Sequence, residues 1–346
     1  DGSCTSLIVG CGSVTRNRPC RCTALSRRRR EGGRCRRGPS PGPPRRRGTP
    51  HARRGPAASD RRLAFALPAA ALLAALAVWP LLVLGRMSVS AVTGATLNRE
   101  WEFVGFANYA QLLADPDFTK VVVNTVAFVV VVTVLGMAGG FAAAVSVWSG
   151  TKGGGFLLGM MVFVWALPPV INGSIWKFLL ADHGLVNESL RALGLGAGGV
   201  GFLYDPKLAL WSVALVNAWA VIPFNALIFR AALLSIDESV LEAAEVDGAR
   251  PRHRVRYIFL PHVRPAATVL TVLTIVYAFR SFDFIYVMTA GGPGTSSTTL
   301  PYLAYVEAFQ RLDYGAGAAT ALLSLVVVVV FALVYARDVR RNEEVL

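Results

Sequence analysis

The chain has 346 residues, of which 54% are hydrophobic and only 16% charged. That balance is too apolar for an ordinary soluble domain and indicates a membrane protein. The net charge of +14 would suit a nucleic-acid partner, but its placement argues against one: residues 1–62 hold 17 Arg and three acids (Asp1, Glu31, Asp60), while the rest of the chain carries 18 basic and 18 acidic residues.

That first segment stands apart from the rest. Cys4, Cys11, Cys20, Cys22 and Cys35 all lie within it, and no Cys follows. Cys20–Arg21–Cys22 is not a CxxC pair and no His stands at finger spacing, so neither a zinc site nor a disulfide framework is indicated. Stretches such as SRRRREGGRCRRGPSPGPPRRRGTP offer almost no apolar surface to offset the entropy of folding, so residues 1–62 are expected to be disordered. Without Met, the segment reads as a mis-called upstream extension of the reading frame; a basic arm lying on anionic lipid is the alternative. It does not read as a signal peptide, because the Arg run is long and no convincing small-residue cleavage site follows.

A bilayer core needs about 20 apolar residues in a helix. Six runs qualify: Leu63–Gly85, Val121–Val147, Phe156–Phe178, Leu208–Phe229, Ala266–Val287 and Ala316–Tyr335. The fold class is therefore all-α, a polytopic membrane protein of six transmembrane helices over residues 63–340, closed by a short C-terminus, 341–346. The first run contains Pro68 and Pro80, which membrane helices tolerate when neighbours re-satisfy the backbone. The second carries GMAGGFAAA (136–144), small residues that let helices approach closely in lipid. Segments 86–120, 179–207 and 288–315 hold three, two and one Lys or Arg, whereas Arg230 to Arg264 holds six Arg. The bias of positive residues toward the inside then puts both termini and the segment after the fourth span in the cytoplasm of a bacterial-type plasma membrane. On the outer side, WEFVGFANYAQLLADPDF (101–118) reads as a short amphipathic helix broken at Asp115–Pro116, and TAGGPGTSSTT (289–299) as a Gly/Pro turn.

Between the fourth and fifth spans lies LEAAEVDGARPRHRVRYIFLP (241–261). Ser235 with Glu238 forms a capping-box pattern, ESVLEAAEVD propagates a helix, and Gly248 suits a left-handed cap. Pro251 can open a second helix, Pro261 cannot continue it without a break, and Pro265 can start the fifth span. The arginines can pair with Glu242 and Glu245 or reach lipid phosphates. On these grounds alone the loop could be an ordinary amphipathic segment resting on headgroups.

Glu242–Ala243–Ala244, Gly248 after three residues, Ile258 after nine more, then Leu260–Pro261, spell EAA-x3-G-x9-I-x-LP. This pattern resembles the signature of permease subunits of binding-protein-dependent ABC importers. Residues 103–118, Asn124–Thr125, PPVINGSIWKFLLADHGLVN (168–187), residues 282–309 and Tyr314–Gly315 are similar to the sugar-permease branch, the maltose, glycerol-3-phosphate and multiple-sugar type. The resemblance covers about residues 63–340; Asp237 stands where relatives often have Pro. It implies that Glu242, Ala243, Ala244, Gly248, Ile258, Leu260 and Pro261 couple this chain to an ATPase. It further implies two ATPase subunits holding the ATP and Mg, a second homologous permease and an extracytoplasmic solute-binding protein. Substrate-facing positions in maltose-type relatives lie in the spans flanking this loop, which points to Asn217, Trp219, Phe224, Thr274, Tyr277 and Ser281 as the path for a sugar or polyol. Helix packing is the alternative for each.

Arg280 and Asp283, three apart, suggest an internal ion pair; if Arg280 instead faces the cavity, an anionic polyol would suit. The chain itself reads as no motor and no enzyme: GLGAGGVG (194–201) lacks the GK[ST] of a P-loop, and His51, His183, His253 and His262 are scattered, leaving no catalytic, cofactor or metal residues to nominate. A secondary transporter would show inverted repeats and broken helices around ion sites, and the sequence shows neither pattern. A membrane scaffold with a lipid-binding loop is the remaining alternative class.

Overall fold

The computed structural model describes residues 57–148, 153–195 and 199–343. Most of the basic N-terminal segment, with all five cysteines, lies outside the described residues, as do 149–152 of the turn after the second span, 196–198 and 344–346. Arg61–Leu346 form one compact unit, which holds the membrane body.

Helix α1 (Ala57–Ser88) begins six residues before the segment expected to be disordered ends. A two-residue pairing of β1 (Ser90–Ala91) with β2 (Glu102–Phe103) follows, then α2 (Ala107–Ala114), shorter than the amphipathic stretch around it. Asp115 ends α2 as expected, its carboxylate accepting from the Asp117 N–H at 2.8 Å, and Pro116 opens α3 (Pro116–Trp148). At 33 residues α3 is about 50 Å long and exceeds the hydrocarbon core.

The expected third span is not one straight helix. It consists of α4 (Gly154–Ala166) and α5 (Pro169–Leu179), bent by 102°. The cause is local: Leu167 precedes Pro168 and Pro168 precedes Pro169, and a residue before proline is pushed out of the α region. Both are extended, with ψ of 130° and 135°. After α6 (Leu185–Ala192) comes α7 (Ala209–Leu233), with 61% of its span buried against 6% for the apolar part of α1. Five described helices or helix pairs are long and apolar enough to cross a membrane, and the bent pair makes a sixth.

The loop helices α8 (Glu238–Val246), α9 (Pro251–Arg254) and α10 (Leu260–His262) lead into α11 (Arg264–Arg280). That helix breaks at Ser281–Phe282 before α12 (Asp283–Met288). Helix α13 (Leu300–Tyr305) and the long α14 (Tyr314–Glu343) complete the chain.

The core is the crossing of α3 over α7, made possible by glycines. A Cβ on Gly136, Gly139 or Gly140 would stand 2.5–2.6 Å from Val221, Ile222 or Asn225. Above and below this crossing lie two apolar clusters. One gathers Phe128, Val132, Val213, Phe284 and Ile285. The other gathers Ala144, Phe229, Leu233, Phe259, Val263 and Leu270 at the end where the charged loop attaches.

Candidate functional site: a charged loop and an apolar cleft

The charged loop is built on two short helices joined by Gly248. Gly248 adopts φ +71°, the left-handed cap expected of it. The Ala249 N–H donates to Ala244 O at 2.9 Å and the Gly248 N–H to Glu245 O at 3.0 Å, closing α8. Arg254 bridges the turn, donating to Glu245 Oε1 at 2.8 Å and to Ala249 O at 3.3 Å. The capping box does not form. Asp237, extended at ψ 134°, takes the N-cap position without a side-chain bond. Ser235 lies just past the end of α7: its hydroxyl donates to Ala232 O at 2.7 Å and lies 2.9 Å from His262 Nε2, tying the two ends of the loop together.

Pro261 does not stop the helix. A π-helical turn, Val255–Phe259, precedes it; the wider turn relieves the crowding between a proline ring and the carbonyl four residues back. The signature residues then split by exposure. Glu242, Ala243, Gly248, Leu260 and Pro261 are exposed, while Ala244 and Ile258 are half-buried. Ile258 packs with Leu241 and Val255 against the cluster at the base of the loop. The deepest anchor is Phe259, 4% exposed and edge-on to Trp148 at 4.7 Å. Sequence reasoning missed it because it fills a free position of the signature; its only signal was an aromatic inside the apolar run YIFL.

Deeper in the body, α4, α5, α7, α11 and α12 enclose a cleft of about 300 Å³. Phe224, Thr274 and Tyr277 line it, joined by Trp165, Asn172 and Phe284. Trp165 and Phe224 stack at 5.8 Å with 22° between their planes, forming an aromatic wall. The other three expected path residues do not line it. The Asn217 amide donates to the Ser281 hydroxyl and both are buried, an α7–α11 tie. Trp219 packs edge-on to Trp176 at 5.3 Å. Trp165 and Asn172 escaped the sequence reading because the third span was taken as straight; the visible signal was Pro168–Pro169. The Arg280–Asp283 ion pair is not among those formed by the described residues, because the break at Ser281–Phe282 separates the two residues.

At the opposite end from the charged loop, residues 289–299 are folded inward rather than merely turning. The Asn124 amide donates to the carbonyls of Thr295, Ser296 and Thr298 at 3.0, 3.1 and 3.2 Å. The Leu300 N–H donates to Thr125 Oγ1 at 2.9 Å, and Ser297 bonds Thr289 and Gly292. Asn124 and Thr125 therefore hold this segment onto α3. No group of three or more His, Cys, Asp or Glu suited to a metal ion occurs among the described residues.

Bent and broken membrane helices surround a cleft, and a charged helical loop joins two of the spans that line it, an arrangement that suits a transporter subunit. Residues 135–343 match the family described as binding-protein-dependent transport system inner membrane component. The chain is 33% identical over 254 residues to the trehalose/maltose transport system permease protein MalF of Thermococcus litoralis, covering 73% of this chain and 85% of that one. It is 33% identical to the sulfoquinovosyl glycerol transport system permease protein SmoG of Agrobacterium fabrum, covering 82% and 92%. It is 32% identical to the sn-glycerol-3-phosphate transport system permease protein UgpA of the same organism, covering 69% and 82%. A chain of a bacterial ABC transporter involved in the import of alginate shares the fold, with a TM-score of 0.68 at 22% identity, over 82% of this chain and 96% of that one. The chain belongs to the inner-membrane components of binding-protein-dependent transport systems. It is a multi-pass permease subunit of an ABC importer, and ATP hydrolysis belongs to a separate subunit.

Proposed function

We propose that this permease forms half of the import path for a sugar or related polyol, and that the loop around Glu242 transmits ATP-driven movement into the membrane. The carrying observation is the construction of the loop: an exposed face on a rigid base. Glu242, Ala243 and Gly248 face outward, and Val246 is 88% exposed. Underneath, Ile258 and Phe259 fix the loop to α3 and α7. A small-residue face beside a free carboxylate suits the cleft of an ATPase. Two ATPase copies and a second permease complete the assembly; the sparse burial of α1 within its own chain supports a neighbouring subunit. The six Arg of the loop region and the sparse positive charge of the opposite segments support cytoplasmic termini. The relatives named for trehalose, maltose, sulfoquinovosyl glycerol and glycerol phosphate support a polyhydroxylated substrate. The aromatic wall beside Phe224 and Tyr277 gives sugar C–H faces a surface to lie on. No cofactor is assigned to this chain; ATP and Mg belong to the ATPase.

The test is a mild-detergent pull-down from native membranes with mass spectrometry, repeated with Glu242→Lys. The expected result is co-purification of an ATPase and a second permease, with the ATPase released by the substitution. Recovery of the chain alone, or as a homo-oligomer, would refute the docking role.

A further inference from the structure

Three side chains that line the cleft, Trp165, Asn172 and Tyr277, carry polar atoms that make no hydrogen bond within the chain, and Asn172 alone of them brings an amide. Thr274 uses its hydroxyl on Leu270 O at 2.8 Å and lies 3.2 Å from Asn225 Oδ1. Asn172 is 3% exposed, lines the cleft, and its amide makes no hydrogen bond. Its amide nitrogen and oxygen are not sealed off by the chain but open onto the cleft, where a bound molecule can reach them. Its position is fixed from both sides. The Pro168–Pro169 bend sets the start of α5. Further along, a Cβ on Gly173 would lie 3.5 Å from Val287, and Lys177 Nζ donates to Val287 O at 2.9 Å, locking α5 onto α12. The result is a rigid amide, with two N–H donors and one carbonyl acceptor, facing a cleft walled by Trp165, Phe224 and Tyr277.

We propose that Asn172 is the specificity-determining residue of this permease: its amide forms a fork that donates to one hydroxyl and accepts from the next, selecting substrates with a vicinal diol held against the aromatic wall. This rests on the reading of the cleft as part of the substrate path. A site built to hydrogen-bond a hydroxyl discriminates against the analogue that lacks it, because its buried polar groups are then left unpaired. An aromatic wall alone grips a sugar and its deoxy analogue nearly alike.

The experiment uses the complete transporter, with both permeases, its ATPase and its binding protein, in proteoliposomes. Labelled trehalose, maltose, sn-glycerol-3-phosphate and diacetylchitobiose are the probes, each competed against a deoxy analogue. The readout is the ratio of the two uptake rates, which does not depend on how much transporter assembles. With Asn172→Ala the preference for the hydroxylated probe is expected to fall about five- to tenfold, the equivalent of one neutral hydrogen bond. Asn172→Ser, smaller but still polar, should keep part of it and stands in should the alanine variant not assemble. An unchanged ratio in Asn172→Ala and Asn172→Ser, with uptake lost in Phe224→Ala, would overturn the role of Asn172 and leave the cleft in place. Unchanged uptake in all three variants would overturn the cleft itself, and a wild-type transporter that takes up none of the four probes would overturn the sugar reading together with the proposal.

Discussion

The α3–α7 crossing should fail if Gly140 gains a single methyl group. An ideal Cβ at Gly140 stands 2.5 Å from Asn225 Cβ and 3.2 Å from the Ala226 backbone nitrogen. Carbon atoms in contact prefer about 3.5–4.0 Å, so the shortfall is about 1–1.5 Å. No rotamer relieves it, since Asn225 Cβ and the Ala226 nitrogen both move only with α7. The helices must therefore part, and a radial gap of even about 0.5–1 Å forfeits a quarter to a half of each contact's attraction. Overpacking of this kind costs about 1–3 kcal/mol. At about 2 kcal/mol the melting temperature should drop by roughly 4–8 °C. The assay is the midpoint of heat-induced loss of the monodisperse peak for the detergent-solubilised protein, with Gly159→Ala as control. Gly159 has nothing within 4 Å of an added Cβ, so that variant should keep or slightly raise the midpoint. A Gly140→Ala protein as stable as the control would refute the tight crossing.

Four other outcomes follow from the same structure. Gly248→Val should cost about 1–2 kcal/mol for a non-glycine residue held at φ +71°; an added Cβ meets nothing within this chain, so a larger loss of substrate-stimulated ATPase activity than of thermal stability in the assembled transporter would mark the docking surface, and normal transport would count against it. Phe259→Ala should destabilise by about 3–5 kcal/mol, read as a lower melting midpoint, because it empties the anchor beneath the loop. Asn124→Ala should free residues 289–299, measurable as faster amide exchange there with little change in α7. The Glu307 carboxyl is pushed up from its ordinary pKa mainly by burial, with the Arg311 guanidinium opposing. A raised carboxyl favours the folded protein below its unfolded pKa and loses that contribution as pH rises through the folded value. Relative to Glu307→Gln, the wild type should therefore lose stability as the pH is raised from acid toward neutral; a pH-independent difference would contradict the assignment.

The residues themselves announced most of this architecture, since apolar length survives any detail of packing. The loop signature was legible because it is local: Gly248 needs positive φ, and Pro251 opens a helix, whatever surrounds them. The failures arose where distant elements decide. Ser235 was spent on the end of α7 and on His262 rather than on a capping box. Asn217, polar in the middle of a span, found Ser281 across the bundle instead of the cleft. The Pro168–Pro169 pair was visible, yet its consequence, a 102° turn that brings Trp165 and Asn172 beside Phe224, depends on where α4 and α5 find α7 and α12 to pack on.

Helices α7 and α11 place the proposed sugar site and the proposed docking loop in contact. Phe224 forms part of the cleft wall and packs against the apolar cluster beneath the loop. Leu270, fully buried in that cluster, lies one helical turn before Thr274, whose hydroxyl bonds the Leu270 carbonyl. Packed interiors do not deform continuously, so a push on Glu242 and Val246 that reaches Phe259 must be taken up by Phe229, Leu233 and Leu270 moving as a body. Phe224 and Thr274 would move with them. In this arrangement the wall of the proposed sugar site is an extension of the base of the proposed docking loop, while Asn172, held on α12 through α5, stays with the other half of the cleft. A displacement of α7 and α11 against α5 would thus open or close the gap between the aromatic wall and the amide that reads the hydroxyls, which is the change that release of a bound sugar requires.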